Sequence, residues 1–399
     1  MKIAMIVTDL SNTRIGGISR VATEIGRNLV KLGHEVTAYV LRREDAASPE
    51  EFDGIRMRYV EPFRSVNPDY PVVAFSRRAF AMLLADLEHE HFDVVQSFNL
   101  NSIALTKYHR QLKARNVSVV LSCYETIGMD VGAKAQEFRK LPSLKLLAQI
   151  MGESYLMWCH ERRYLRLADA IITEDENTRA ALAKMGISAG GVHLAPSGVD
   201  VDAAVATTPP DVPRPWEPGS PVIGYVGRVD PRKGVQYLIE AMPCVREKFP
   251  NAQLVLVGGS RHGYDETIRK LIARLGLKGQ IHVLGRVPGD ILPYYKLMDM
   301  IVIPSLSEGI PITLGEAMAS RVPVTITRLP GVVPFVEPAD LVHWADLGSP
   351  ESLSEAMVAS LENPDKAGQI ERAFEFISRY TWLAVAERHA EVYRSTLRS

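Results

Sequence analysis

The chain has 399 residues, of which 46% are hydrophobic and 23% are charged, and its formal net charge is -1. This composition is ordinary for a folded globular protein, and the length favours two domains with separate cores. A net charge near zero gives no reason to expect nucleic acid as a partner. The three cysteines are far apart in the chain, which indicates reduced thiols and no zinc site.

The N-terminal apolar run ends at Thr8, so it is too short for a signal peptide. No stretch approaches the ~20 apolar residues that a membrane-spanning helix needs. We therefore expect a cytoplasmic protein, with peripheral contact at the inner membrane face left open.

Segments typical of strands and helices alternate through the first half of the chain. A helix is predicted over 18–32, because apolar residues recur there at helical spacing and Gly33 follows them. The predicted strands are 2–7, 34–41, 92–96, 118–122, 170–173 and 193–195. Strands separated by helices predict parallel βαβ units.

A second α/β series follows the proline-rich stretch 203–221, which we interpret as an extended linker. The predicted strands are 222–226, 253–257, 281–284, 300–303 and 324–326, and the predicted helices are 234–249, 265–275, 291–298, 353–362 and 365–397. We therefore expect domains over 1–202 and 222–375, with a C-terminal helix over 376–399 that can pack back on the first domain. Two doubly wound domains place a ligand cleft between them.

An acidic motif follows the predicted strand 300–303. Glu308 and Gly309 lie in the loop, and a helix is predicted to begin with Pro311 in its first turn and Glu316 about one turn further. Ligands of parallel sheets bind at this end of the strands. The helix N-terminus suits a phosphate, and an adjacent carboxylate can hold sugar hydroxyls. The simpler interpretation is that Glu308 caps a loop and Glu316 is solvated.

A basic loop, 227–234, follows the predicted strand 222–226. Arg228 and Lys233 stand near its two ends, where an arginine fork and a lysine point charge can clamp a diphosphate. In isolation, a solvated basic turn explains the same residues.

Taken together, these segments resemble the family 4 retaining glycosyltransferases (group 1), which have the GT-B fold: two Rossmann-like α/β domains facing across a cleft. The stretch 305–319 resembles their E-x7-E motif, and 227–234 resembles their G-R-x-x-x-x-K-G motif. Shorter matches are the Gly-Gly loop at Gly16 and Gly17, the V-G-x-G loop near Gly259, and the G-x-V segment at 285–287, which lies near the nucleotide base in the family. The segment 196–200 resembles P-N-G-V-D with serine in place of asparagine.

The resemblance implies a hexosyltransferase that uses a nucleotide diphosphate sugar of UDP or GDP type, with no cofactor and no metal. It implies that Glu308, Arg228 and Lys233 are catalytic: Glu308 contacts the sugar, and the two cations stabilise the departing diphosphate. Glu316 is implied at the ribose. The donor-binding residues implied are Gly16, Gly17, Arg228, Lys233, Gly259, Arg286, Val287, Glu308, Gly309, Ile310, Pro311 and Glu316.

One segment departs from the family pattern. Many relatives have a histidine in a T-x-H-D-like segment after the strand equivalent to 118–122. Here Tyr124 aligns with that histidine and Glu125 with the acidic residue, so both are candidates for contact with the acceptor or the sugar. A tyrosine hydroxyl can donate a hydrogen bond to a sugar oxygen.

The acceptor is expected to be a glycan, a lipid-linked glycan or a small molecule, with polysaccharide biosynthesis as the family's common setting. The basic and apolar stretch 134–151 could meet a membrane that carries such an acceptor, although packing on the domain explains the same leucines. The rival functions are a sugar-nucleotide 2-epimerase of the same fold and a non-catalytic nucleotide-sugar binder.

Overall fold

The computed structural model describes residues 1–10, 17–42, 48–62, 72–129, 131, 144–212, 214, 216, 218–260, 264–287, 289–337 and 340–397. The chain folds into two compact units. Unit 1 comprises Met1–Ser197 and Trp382–Ser399, and unit 2 comprises Gly198–Thr381. Each unit is an α/β structure around a largely parallel sheet, which confirms the predicted pair of doubly wound folds.

Unit 1 contains an eight-stranded sheet in the order β3-β4-β2-β1-β5-β6-β7-β8. Its strands are β1 (Lys2–Ile6), β2 (Glu35–Leu41), β3 (Glu51–Phe52), β4 (Ile55–Val60), β5 (Val94–Phe98), β6 (Ser118–Ser122), β7 (Ala170–Thr173) and β8 (Val192–Leu194). Neighbouring strands pair in parallel except β3 and β4, which form a short antiparallel pair. The strand order reverses between β1 and β5, which marks the usual ligand-binding edge of such a sheet.

Helices cover the sheet of unit 1. They are α1 (Gly17–Lys31), α2 (Val72–Asp86), α3 (Leu105–Lys113), α4 (Leu144–Leu156), α5 (Arg162–Leu165), α6 (Glu176–Lys184) and α15 (Trp382–Leu397). The helix α15 ends the chain and packs against α1, β6 and β7. The C-terminal helix is therefore part of unit 1.

Unit 2 contains a six-stranded sheet in the order β11-β10-β9-β12-β13-β14. Its strands are β9 (Val222–Val226), β10 (Gln253–Val257), β11 (Ile281–Gly285), β12 (Met300–Ile303), β13 (Val324–Thr327) and β14 (His343–Ala345). All of them pair in parallel, and the order is that of a dinucleotide-binding fold, with the switch point between β9 and β12.

The helices of unit 2 are α7 (Val201–Ala206), α8 (Val235–Lys248), α9 (Tyr264–Arg274), α10 (Leu292–Tyr295), α11 (Ile312–Ala319), α12 (Val333–Val336), α13 (Pro350–Leu361) and α14 (Lys366–Ile377). None of the helices described in either unit is long and apolar enough to cross a membrane.

The stretch 203–221, which was expected to link the two domains, is not a separate linker. The stretch 203–221 belongs to unit 2, because Ala204, Val212 and Trp216 pack on that unit's core. The chain changes units at Ser197 and again at Thr381.

The predicted single helix 365–397 is two helices, α14 and α15. The break between them lies where the Tyr380 carbonyl accepts a hydrogen bond from Val199 N and Thr381 pairs with Val199 in an isolated bridge. This pairing requires an extended backbone at the point where the chain leaves unit 2.

Candidate functional site

Two loops meet at the switch point of unit 2, one after β9 and one after β12. Leu306 N donates a hydrogen bond to Arg232 O at 2.9 Å, which joins the two loops through their backbones. Gly234 has φ +70, and a Cβ built on it would lie 1.9 Å from Pro304 O. Only glycine fits both the left-handed conformation and this close approach. The loop ending at Gly234 is thereby pressed against the end of β12.

This close approach brings the Lys233 ammonium and the Ser305 hydroxyl to the two oxygens of one carboxylate, that of Glu308. Lys233 Nζ donates to Glu308 Oε2, and Ser305 Oγ donates to Glu308 Oε1. The side chains of Lys233 and Glu308 are only 19% and 12% exposed. Both oxygens of the Glu308 carboxylate are therefore held by neighbouring side chains.

Arg228 lies at the start of the same basic loop. Its Nη2 is 3.5 Å from Asp230 Oδ2, and its side chain remains 26% exposed. Asp230 also caps the short turn Pro231–Lys233, because its Oδ1 accepts a hydrogen bond from Lys233 N. The Tyr225 hydroxyl donates to Arg228 O, and burial, with help from the nearby Glu308 and Asp230 charges, raises the pKa of Tyr225. The loop is thus fixed while its guanidinium can still reach an anion.

Glu316 lies beneath the surface and is only 4% exposed. The Tyr295 hydroxyl donates to Glu316 Oε2 at 2.6 Å. The alternative of a solvated Glu316 is therefore wrong, and its implied contact with a ribose stays a prediction. Pro311 is the residue that caps α11, with ψ 129, so the helix starts one residue after it, at Ile312.

Gly259 and Arg286 line one cavity of about 440 Å³ beside the ends of β10 and β11. A Cβ built on Gly259 would lie 4.0 Å from the Cβ of Arg286, and one built on Gly258 would lie 1.8 Å from Gly227 O. These glycines let the loops after β9, β10 and β11 approach one another. Val287, by contrast, packs against the core of unit 2.

The predicted residues of unit 1 are less accessible. Tyr124 is 8% exposed, its ring lies 6.3 Å from that of Phe98, and its hydroxyl is buried beside the core. The structure therefore buries the hydroxyl that was expected at the sugar, and the contact itself stays a prediction. Glu125 is half-buried, and Gly17 begins α1. Gly16 lies outside the described residues.

Burial, with help from nearby carboxylates such as Glu161, raises the pKa of the Cys123 thiol. A buried thiol that resists ionisation is a poor nucleophile. Cys123 is therefore not a candidate nucleophile.

Sequence reasoning assigned no role to Asp230 or Ser305, although both hold the catalytic candidates in place. An aspartate directly before a proline, after a strand, is a recognisable capping signal. Sequence reasoning also missed the hydrogen bond that Ser197 Oγ donates to the Glu174 carboxylate, although both residues are buried, at 7% and 8% exposed. The only signal in the sequence was that serine stands at 197 where the family pattern has asparagine.

Within the described part of the chain, no group of three or more histidine, cysteine, aspartate or glutamate side chains could hold a metal ion. Most of the basic and apolar stretch 134–151 lies outside the described residues. Near the end of this stretch and just beyond it, Leu147, Met151 and Tyr155 are exposed one turn apart along α4.

Two protein-family models match the chain: "Glycosyltransferase Family 4" over 15–203 and "Glycosyl transferases group 1" over 212–375. An uncharacterized glycosyltransferase of Methanocaldococcus jannaschii is 24% identical, and the match covers 99% of this chain and 98% of that protein. A phosphatidyl-myo-inositol mannosyltransferase of Mycobacterium leprae is 29% identical over 51% of this chain and 54% of its own length. The Anabaena HepE protein, solved in complex with UDP, superposes with a TM-score of 0.71 at 17% identity, covering 99% of this chain and 100% of that one.

Proposed function

Because the chain belongs to the group 1 glycosyltransferases with the GT-B fold, we propose that it moves a hexose from a nucleotide diphosphate sugar to an acceptor with retention of configuration. The observation that carries this proposal is the arrangement of Arg228, Lys233 and Glu308 at the switch point of unit 2. It joins two cations suited to a diphosphate with a carboxylate suited to sugar hydroxyls.

In the proposed reaction, the acceptor oxygen bonds to the anomeric carbon as the bond from that carbon to the diphosphate oxygen breaks. Arg228 and Lys233 stabilise the negative charge that develops on the leaving group, which gives a metal-independent route. Glu308 holds sugar hydroxyls and favours the positive charge on the ring. The acceptor's proton passes to the departing phosphate, so no protein nucleophile is needed.

The contacts of Glu308 imply an order of events in the proposed reaction. Lys233 is held by Glu308, and Glu308 is held by Lys233 and Ser305. A bound diphosphate offers Lys233 a stronger anionic partner, since a phosphate group carries more than one charge. Lys233 would then leave Glu308, whose carboxylate becomes free to bind the sugar. Donor binding thereby prepares its own catalytic carboxylate.

The reaction class is tested by incubating the protein with UDP-glucose and with GDP-mannose, with and without soluble acceptors, in the presence of EDTA. We expect a glycosylated product by mass spectrometry and, by NMR, the same anomeric configuration as the donor. If the sugar of the donor is inverted at C2 when no acceptor is present, the result favours the alternative, a sugar-nucleotide 2-epimerase. Binding without any turnover of either donor would favour a non-catalytic binder.

The diphosphate clamp is tested by calorimetry on Arg228→Ala and Lys233→Ala. Each variant should bind a nucleoside diphosphate more weakly by roughly 1.5–3 kcal/mol, because a charge-assisted contact is lost. Binding of the free nucleoside should hardly change. Arg274→Ala is the matched control, since Arg274 is 71% exposed and pairs with Glu240. Equal losses for the diphosphate and the nucleoside would contradict the clamp.

We propose that unit 1 receives the acceptor and that the acceptor is a glycan on a lipid carrier at the inner membrane face. The exposed Leu147, Met151 and Tyr155 on α4 support this, as does the similarity to a phosphatidyl-myo-inositol mannosyltransferase. Tyr124 and Glu125 stay candidates for acceptor or sugar contact, and Tyr124 requires a rearrangement to expose its hydroxyl.

A further inference from the structure

The cavity beside β10 and β11 carries charged side chains that the proposed transfer chemistry does not use. Asp265 and Arg269 lie one turn apart on α9, and Arg286 follows β11; all three line the cavity. Its volume of about 440 Å³ falls within the range of roughly 300–1,000 Å³ that is usual for small-molecule sites.

These three charges lack ion-pair partners among the described residues, although opposite charges four residues apart on a helix commonly pair. Elsewhere on α9, Lys270 pairs with Glu266 at 2.7 Å and Arg274 pairs with Glu240 at 3.8 Å. Asp265 is half-buried, and Arg269 and Arg286 are exposed. The cavity wall therefore presents one carboxylate and two guanidinium groups that a bound ligand can reach.

Apart from Ser260, the rest of the cavity lining is apolar or glycine. Leu256, Ile268 and Val283 supply hydrophobic surface, and Gly258 and Gly259 supply backbone without side chains. An apolar wall with a few polar groups at its rim suits a flat heterocycle with hydrogen-bonding edges. Because Gly258 packs against Gly227, the cavity adjoins the loop that carries Arg228.

We infer that this cavity selects guanine, so that the donor is a GDP-type sugar; this inference rests on the proposed function. Guanine presents two adjacent acceptors, O6 and N7, which an arginine fork matches in the commonest specific arginine–base contact. It also presents two adjacent donors, N1–H and the N2 amino group, which a single carboxylate accepts together.

The other common bases fit these charges less well. Adenine places an amino donor where guanine has O6, so it would face the arginine fork with a donor. Uracil has one N–H donor flanked by two carbonyl oxygens, which would meet the Asp265 carboxylate unfavourably, and it has no N7. The charge pattern of the cavity therefore discriminates by base, independently of the sugar.

The test is calorimetric titration of the full-length protein with GDP, inosine diphosphate, UDP and ADP. Inosine diphosphate is GDP without the N2 amino group. We expect GDP to bind about tenfold to a hundredfold more tightly than UDP or ADP, and about tenfold more tightly than inosine diphosphate. Asp265→Asn should remove the difference between GDP and inosine diphosphate and should strengthen UDP binding, because a neutral amide that can donate replaces the carboxylate that faces the uracil carbonyl oxygens.

Glu266→Gln is the matched control, because Glu266 neighbours Asp265 on the same helix, is 71% exposed and pairs with Lys270. It should bind all four diphosphates as the wild type does. Arg269→Gln and Arg286→Gln should each weaken GDP more than UDP.

Tighter binding of UDP than of GDP, or an equal loss for both in Asp265→Asn, would overturn the guanine assignment. If UDP-sugars were then transferred, the proposed glycosyl transfer would still stand. Failure of every diphosphate to bind would overturn both proposals.

Discussion

The Glu308 carboxylate contacts both the Lys233 ammonium and the Ser305 hydroxyl. Substituting Glu308 should therefore change donor binding and the rate of transfer in opposite directions. Glu308→Gln should lower the rate of transfer by about 10²–10³, because an electrostatic contact to the developing positive charge is lost. The same variant should bind the nucleoside diphosphate severalfold more tightly, since Lys233 no longer pairs with a carboxylate, a gain of about 1 kcal/mol. Initial rates and calorimetry measure the two effects.

Glu337→Gln provides the control for this pair of measurements. Glu337 is also in unit 2 and pairs with Arg328, but it is 49% exposed and its partner lies outside the basic loop. It should leave both the rate and the affinity unchanged. A Glu308→Gln protein that is folded and transfers sugar at the normal rate would remove the proposed role of Glu308.

At the scale of elements, the site depends on how closely the loop before α8 approaches β12. Gly234→Ala should destabilise the protein and sharply reduce transfer, because the new Cβ would lie 1.9 Å from Pro304 O. Gly276→Ala is a close control: Gly276 has φ +69 against φ +70 at Gly234, but a Cβ there meets nothing within 4 Å. The loss of stability in Gly276→Ala therefore measures the cost of placing alanine in a left-handed backbone conformation alone, about 1–2 kcal/mol.

Thermal unfolding of the two glycine variants gives the comparison directly. The loss of stability at Gly234 should exceed that at Gly276, and only the Gly234 variant should lose transfer. Equal stability losses and an active Gly234→Ala protein would show that the backbone contact with Pro304 does not position the loop.

The sequence predicted the elements that are buried on both faces far better than the exposed ones. Strands 118–122, 170–173, 222–226, 253–257 and 300–303 have the observed bounds, because parallel strands of a covered sheet read as continuous apolar runs. The amphipathic strands β4 and β14 and the helices α2, α3 and α6 were not predicted. Apolar residues are few in α3 and α6, so only the finished sheet gives these helices a face to cover. Helix α2 is rich in apolar residues, so sparse apolar residues do not explain why it was missed.

Within the site, the sequence indicated which residues belong to one motif but not which of them touch. The spacing of Arg228 and Lys233 suggested a clamp, yet the pairing of Lys233 with Glu308 joins residues 75 positions apart. Likewise, nothing local predicts that Tyr295 buries Glu316, because that contact depends on the packing of α10 against α11. Contacts between loops of different strands are set by sheet order, which periodicity does not encode.

The helix α15 is joined to the sheet of unit 1 through a buried polar cluster. Gln96 Nε2 bonds to Ser122 Oγ at 2.7 Å and lies 3.1 Å from Nδ1 of His389, which is fully buried. Burial lowers the pKa of His389 to about 3. In the unfolded chain, His389 takes up a proton near pH 6.5, but in the folded protein it does not. The full free energy of unfolding is therefore reached only above about pH 6.5.

The free energy of unfolding should therefore fall as the pH is lowered from about 6 to 4, by up to about 1.4 kcal/mol per pH unit from this histidine. Urea denaturation at several pH values measures the slope. His389→Gln should flatten it, even if the variant is less stable overall, whereas His89→Gln, at an exposed position, should not. An unchanged slope in His389→Gln would show that His389 does not set the acid sensitivity of the protein.

At the scale of the whole molecule, the exposed side of α4 is the surface through which we propose that the protein meets a membrane-bound acceptor. Leu147, Met151 and Tyr155 are 38%, 66% and 63% exposed and follow one another at four-residue spacing. The sequence up to and including the start of this helix is basic, with Lys134, Arg139, Lys140 and Lys145. Apolar side chains at one face of a helix can enter the membrane interface, and each basic residue near anionic head groups adds about 1 kcal/mol.

We therefore expect the protein to float with vesicles containing phosphatidylglycerol, and more weakly with pure phosphatidylcholine vesicles. High salt should reduce the association without abolishing it, because salt screens only the charged part. Changing Leu147, Met151 and Tyr155 together to Gln should remove the salt-resistant part. The control changes Val205, Leu347 and Leu383 to Gln, which are 53%, 45% and 42% exposed elsewhere on the chain. If the wild-type protein floats with neither vesicle and transfers efficiently to a small soluble acceptor, the acceptor is a small molecule, and the exposed face of α4 has another purpose.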